Sequence, residues 1–307
     1  MPTGGTLRTP SESRRPHDAS REALPAAGGG GEAERDAAWE AGGELVRRIY
    51  ARGVSEVLAP IANLRQAFVS GNERITCIDA GVVMAGSGKS GLALAGSGIL
   101  FPAGSWEERL ARVADLCLAA RVREVTSHEG CGAAALAYER DGRPSEHSSS
   151  DRYGQAWSRS LHERISSRRE RPATYLHIAA GEMARPMGFH DCRVTWLDCT
   201  GRFTPGNLSG QLPQGYLIDR GDVIRHAITA EERSYPLVEL AISIELALGA
   251  IGFGERFTPE APFLVVVVAD GEEDWAALAT ELDDVAAPYD GRVRVDRLPV
   301  DRCRSGG

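Results

Sequence analysis

Hydrophobic and polar positions divide this chain into a polar start followed by short apolar runs that alternate with amphipathic stretches. Residues 1 to 36 are rich in Gly, Pro, Ser, Arg and Glu and carry almost no large apolar side chain, so they are expected to form a disordered N-terminal tail. From Ala37 to Phe68 the apolar positions Trp39, Leu45, Ile49, Val54, Leu58, Ile61 and Leu64 recur at roughly helical spacing. They predict one or two helices, broken near Gly53 or Pro60. Arg74 to Met84 reads as a strand, the Gly-rich segment Ala85 to Gly91 as a loop, and Leu92 to Leu100 as a second short strand. Ser105 followed by Glu108 is a capping-box pattern and predicts a helix to about Ala120. Arg123 to Ser127 is a third strand, and Cys131 to Glu139 a helix straight after it.

Farther along, His147 to Ser167 predicts a polar helix. Ala173 to Ala180 and Cys192 to Asp198 predict strands, with Thr200-Gly201 turning after the second. Leu212 to Arg233 carries no clear period. Pro236 to Gly249 predicts an apolar helix ending at glycine. Phe263 to Ala269 is an unbroken apolar run between Pro262 and Asp270-Gly271, the pattern of a strand buried on both faces. An amphipathic helix over 272 to 287 and a strand over Arg292 to Leu298 complete the chain. No internal repeat is apparent. Strands alternating with helices predict an α/β fold with a central, mostly parallel sheet flanked by helices. The expected organisation is a single α/β domain over 37 to 307. Its last part, 204 to 307, either extends the main sheet or forms a small second lobe.

With 307 residues, 42% of them hydrophobic, the chain can bury a sizeable core. The net charge of −8 argues against a nucleic-acid-binding face. The arginines at 164, 168, 169 and 171 read as a solvated helix end. No run of about 18 apolar residues suggests a membrane span, and the start lacks the apolar segment of a signal peptide, so a cytoplasmic protein is expected. Six cysteines in so long a chain are no disulfide framework. Spaced cysteine and histidine point instead to metal or catalysis.

Candidate chemistry concentrates in two motifs. Cys77-Ile-Asp79 stands at the end of the first predicted strand, where residues i and i+2 face one side. His128-Glu-Gly-Cys131-Gly132 stands where a strand gives way to a helix, the place where open α/β sheets form their ligand sites. Cys131 falls at the helix N-terminus, where the helix dipole favours thiolate. Two thiolates and an imidazole suit Zn2+, and three protein ligands leave a fourth position open, as in catalytic zinc sites.

This pair of motifs resembles the β-class carbonic anhydrases, whose pattern is C-x-D-x-R followed by H-x-x-C-G at the head of a helix. Leu92 to Gly98 is similar to that family's second strand. Phe189-His190 with Val194 to Gly201 is similar to its late strand, so the resemblance spans roughly residues 65 to 203. It implies that Cys77, His128 and Cys131 are zinc ligands. It implies that Asp79 is the active-site aspartate, which orients the zinc-bound water or closes on the metal. The implied activity is attack of zinc hydroxide on carbon dioxide or a related small electrophile, giving bicarbonate in the family's reaction. The implied partners are that small-molecule substrate and, since such proteins are usually dimers, a second copy of the chain. The family's motif arginine falls at Gly81 here. Either Asp79 becomes a fourth ligand, leaving a capped zinc in a binding or regulatory protein, or another arginine such as Arg65 or Arg74 reaches in.

Other candidates are weaker. Gly86-Ser-Gly-Lys89-Ser90 resembles the end of a phosphate-binding loop, but Val83 stands where its first glycine belongs and the segment after it is a poor helix. Lys89 reads as a solvated loop residue. Cys192 and Cys199 sit at odd spacing and make a poor metal pair; Cys117 reads as core and Cys303 as tail. His177 and His190 read as structural, with His190 nearer to the family pattern. Glu129 reads as exposed. Ser127 beside His128 lacks the G-x-S-x-G elbow of a serine hydrolase.

Overall fold

In the computed structural model eight strands form among the described residues, in two four-stranded sheets that are parallel throughout. The structure describes residues 32–71, 73–79, 81–82, 91–102, 104–182, 192–249, 252–270 and 273–300. The α/β reading with parallel strands between helices therefore holds, but the strands divide into two sheets. The first holds β1 (Arg74–Thr76), β2 (Gly91–Ala93), β3 (Glu124–His128) and β4 (Thr174–Ile178) in the order β2-β1-β3-β4. The second holds β5 (Val194–Asp198), β6 (Tyr216–Asp219), β7 (Phe263–Ala269) and β8 (Val293–Pro299) in the order β6-β5-β7-β8. Residues 204 to 307 thus contribute three strands to a sheet of their own, which also takes β5.

The two orders are the same order. The chain does contain a structural repeat, which the sequence reading missed. Its trace is a six-residue echo at the start of each half, Arg74-Ile-Thr-Cys-Ile-Asp79 against Arg193-Val-Thr-Trp-Leu-Asp198. In each half the long helix between the second and third strands, preceded in the second half by the short α7 (Gly221–His226), opens with a complete capping box. It is Ser105 with Glu108 for α4 (Trp106–Ala119) and Thr229 with Glu232 for α8 (Ala230–Leu248). The two sheets meet at matching strands: β6 packs against β2, and the Leu217 N–H donates to the Ile78 carbonyl at 3.0 Å.

Three N-terminal helices, α1 (Glu32–Glu40), α2 (Gly43–Arg52) and α3 (Val54–Leu58), lead into the first sheet, with a break at Gly53 whose φ is 89°. The helix over 32 to 40 corrects the expected tail to residue 36; residues 1–31 lie outside the described residues. α8 starts six residues before Pro236, because the Thr229 cap fixes its first turn. β7 is buried along its whole length. Its alternate side chains feed two cores: Phe263, Val265, Val267 and Ala269 join α8 and α4, while Leu264, Val266 and Val268 join α2 and α3.

In the first half, α5 (Gly132–Arg140) follows β3 and α6 (Ser150–Ser166) packs across it. Trp157 of α6 is wholly buried, stands edge-on to Trp106, and donates its indole N–H to the Ser97 carbonyl at 3.0 Å. Trp157→Ala should therefore cost about 3–5 kcal/mol. Urea unfolding would check this; a loss under about 1 kcal/mol would mean that the site collapses to fill the cavity.

Candidate metal centre

In the first sheet the chain leaves β1 to one side for β2 and returns to the other side for β3. The carboxyl ends of β1 and β3 therefore flank a topological switch point, the crevice where open α/β sheets bind ligands. Cys77 follows the last residue of β1 and His128 is the last residue of β3. The ladder of β1 stops at Thr76, earlier than the pattern predicts, so Cys77 and Asp79 sit on the turn beyond the strand. Cys131 is the residue capping α5.

These three side chains are buried, and their ligand atoms all lie within 4.8 Å of one another. The sulfurs of Cys77 and Cys131 are 3.8 Å apart, far too distant for a disulfide. Two thiolates about 2.3 Å from one tetrahedral ion would be separated by about 3.8 Å. The His128 Nδ1–H donates to the Glu129 carbonyl at 2.9 Å, which leaves Nε2 to face the sulfurs; against its burial, Cys77 and Asp79 raise the imidazole to about 9, so Nε2 gives up a proton when a metal binds. That Nε2 is buried and, although Cys77 acts on it, makes no well-formed hydrogen bond, a state that native interiors rarely tolerate without a ligand. The group can hold a metal ion.

The electrostatics agree. Burial, reinforced by Cys131 alongside, pushes the Cys77 thiol well above its ordinary range, so without a cation it keeps its proton. A cation between the sulfurs reverses this and deprotonates a coordinating thiol. The Gly96 N–H donates to Cys77 Sγ at 3.2 Å, and the α5 N-terminus lies at Cys131; both favour thiolate.

Asp79 is buried beside this group but is not part of it. Its Oδ1 accepts the Gly81 N–H at 2.8 Å, a local turn that aims the carboxylate. Burial raises its pKa, opposed by the charge of His128 and by the Gly81 and Val82 amides. Arg74 does not reach it: that guanidinium pairs with Glu124 at 2.6 Å, at the opposite end of the strands. Arg65 is exposed on the turn at 64–67.

The remaining candidates fall elsewhere. His177 faces the other side of the sheet, where its Nδ1 lies 2.9 Å from Ser127 Oγ and its Nε2 is 3.2 Å from Gln155. Ser127 thus pairs with a histidine from the neighbouring strand and not with His128. The Glu129 side chain is exposed and accepts the Ala180 N–H at 3.0 Å, while its carbonyl orients the His128 ring. Cys117 is core, and Cys192 is buried but not a member of the group. Lys89, with its loop from 83 to 90, and His190 and Cys303 lie outside the described residues. Sequence reasoning missed Gly96; its signal was the Ala95-Gly-Ser-Gly98 run, where Gly96 and Ser97 both have φ of 56°.

The second half repeats the frame without the ligands. Trp196 stands where Cys77 does in the shared six-residue pattern. Ile75 pairs with Val125 and Val194 with Leu264, so three residues on, Val267 takes the place of His128. Six residues on, Asp270 takes that of Cys131. Only the aspartate is kept: Asp198 Oδ1 accepts the Thr200 N–H at 2.8 Å, as Asp79 accepts that of Gly81.

No protein-family model, curated protein or solved structure matches this chain at a significant level. Among the described residues no helix is long and apolar enough to cross a membrane.

Proposed function

We propose that this chain is a zinc enzyme of β-carbonic anhydrase type, acting on carbon dioxide or a related small electrophile. One observation carries the reading. Two sulfurs at tetrahedral zinc spacing share a buried point with an imidazole nitrogen that makes no well-formed hydrogen bond, at a topological switch point. Cys77, His128 and Cys131 would hold the ion; the soft-to-borderline donor set favours zinc. Bound there, zinc would supply Lewis acidity and bring a coordinated water into the neutral pKa range. Asp79 is held by Gly81 outside the ligand group, which favours a fourth position left to water or substrate over a capped metal. Asp79 then orients the attacking water and accepts its proton. The small residue at Gly81 removes the arginine that the family places there, so the Asp79 carboxylate relies on backbone amides for its aim.

Stopped-flow hydration of carbon dioxide with the zinc-loaded chain tests this. The wild type should be active, and Asp79→Ala should lower kcat by about 100-fold, the smaller end of general acid–base effects. An inert wild type with zinc bound would refute the reading. A gain of activity in Gly81→Arg alone would mark the site as capped by Asp79.

A further inference from the structure

A line of buried acids leads away from the metal centre into the second half. Glu239 of α8 is 1% exposed; its Oε1 accepts the Ala95 N–H at 2.8 Å, next to the Gly96 N–H that binds Cys77 Sγ. Its Oε2 makes no well-formed hydrogen bond. Tyr235 lies one helical turn earlier on the same face, buried, with its hydroxyl acting on Glu239 although the two make no well-formed hydrogen bond. Next comes Asp219 at the end of β6, close enough for its charge and that of Glu239 to oppose each other. Asp219 Oδ1 accepts the Asp222 N–H at 2.9 Å, while its Oδ2 is buried and unpartnered. Asp198, its cross-strand neighbour, has both oxygens filled by Thr200 and Phe203. Asp222 is paired with Arg225, whose side chain is more than half exposed and opens to solvent.

Three oxygens without a well-formed hydrogen bond, on buried side chains that act on one another, are what ordered water satisfies in native interiors. We propose that Tyr235, Glu239 and Asp219 form a hydrated proton-transfer line through which the second half connects the metal centre to solvent at Arg225. The inference rests on the proposed function for its purpose: each turnover that adds water to a neutral electrophile releases one proton. The proton that Asp79 accepts from the attacking water moves on through water to Glu239, which takes it on one oxygen and releases one from the carboxyl through water to Asp219. A buffer base at the surface takes it, and every side chain returns to its starting state. Burial pushes Glu239 up to about 8, against the Tyr235 hydroxyl and the Ala95 amide, so the carboxyl can hold and release a proton near neutral pH. Arg140 also faces Tyr235. This gives the second half, which lacks the metal ligands, a working role.

Glu239→Gln keeps an acceptor for the Ala95 N–H but cannot carry a proton, so it separates a relay from an anchor. The first readout is the infrared carboxyl C=O band at pH 6, assigned to Glu239 by subtracting E239Q from wild type. The expected band shifts at once on transfer to D2O. A band that shifts only as the protein unfolds, or no band, overturns the line whatever the activity. The second readout is carbon dioxide hydration in weak buffer. There E239Q should lose about tenfold in kcat with kcat/KM unchanged, and imidazole buffer should restore it. An equal loss in kcat/KM without rescue also overturns the line. If wild type is inert but the carboxyl exchanges at once, the proposed chemistry fails and the line stands. Asp219→Asn repeats both readouts should E239Q fail to fold.

Discussion

Cys131→Ser should take the protein from one bound metal ion per chain to almost none after dialysis. The two thiolates and the imidazole converge on one point, and a serine hydroxyl stays protonated where a thiol ionises. Outer-sphere changes already weaken metal sites by 10–100-fold, so loss of a ligand should exceed about 100-fold. At a fixed free-metal level that once gave saturation, a hundredfold loss removes about 2.7 kcal/mol of linked stability. The melting temperature should then fall by on the order of 5 °C. Wild-type stoichiometry should be one and not two, because the second half offers Trp196, Val267 and Asp270 where the first offers its ligands. The pH dependence has a definite sign. Binding displaces the proton that Cys77 holds tightly and that of His128, whose pKa is raised to about 9. Affinity therefore falls on acidification, by up to about 100-fold per pH unit where the Cys77 thiol and the His128 imidazole are both protonated in the metal-free chain. Stability contributed by the metal is present at high pH and lost as pH drops. Metal analysis and chelator competition across pH would measure both. A C131S protein that keeps one ion at unchanged affinity would refute the site, and His177→Ala, on the far face, should leave binding intact.

How much of this was legible in the chain depends on how local each signal was. The run Phe263 to Ala269 declared β7 because an unbroken apolar stretch between turn residues has few other uses. Ser105 and Glu108 declared the start of α4, since a capping box is a contact between neighbours in sequence. The candidate metal group was legible because strand ends and helix starts position Cys77, His128 and Cys131 by local geometry, and because the two motifs together resemble those of a known family. The repeat was not, because only six positions echo between the halves, while the shared strand order is a property of long-range pairing. β6 and the start of α8 were missed for a related reason. Four strand residues followed by two adjoining helices give no period long enough to read, and Pro236 disguises a helix interior as a helix start. Glu239 offered a faint clue, an acid within the apolar stretch of α8. What makes it notable is burial, which only the packing of two distant halves creates.

Gly96→Ala should damage both the fold and the metal centre. Gly96 adopts φ 56°, ψ 36°, a left-handed conformation that costs a residue with a Cβ about 1–2 kcal/mol. A Cβ there would also stand 2.7 Å from Ile99 Cγ2, 3.1 Å from Ala133 Cβ and 3.5 Å from Cys131 Sγ. Relieving such crowding typically costs a further 1–3 kcal/mol or so, giving a total of about 2–5 kcal/mol. The direction of relief matters more than its size. Ala133 is in the first turn of α5 and Cys131 caps it, so the turn at 95–98 must retreat or the helix start must move. Either motion lengthens the bond from the Gly96 N–H to Cys77 Sγ or separates the two sulfurs. Metal affinity should fall by about tenfold or more, since contacts that orient ligands are worth 10–100-fold. Gly98→Ala is the matched control. It has φ 86° and would press its Cβ to 2.9 Å from Val113 on α4, away from both cysteines. It should lose comparable stability and keep its metal affinity. Urea unfolding and chelator competition on the two variants decide the matter: equal losses of affinity would mean that general loosening, and not the amide on Cys77, governs how tightly the ion is held.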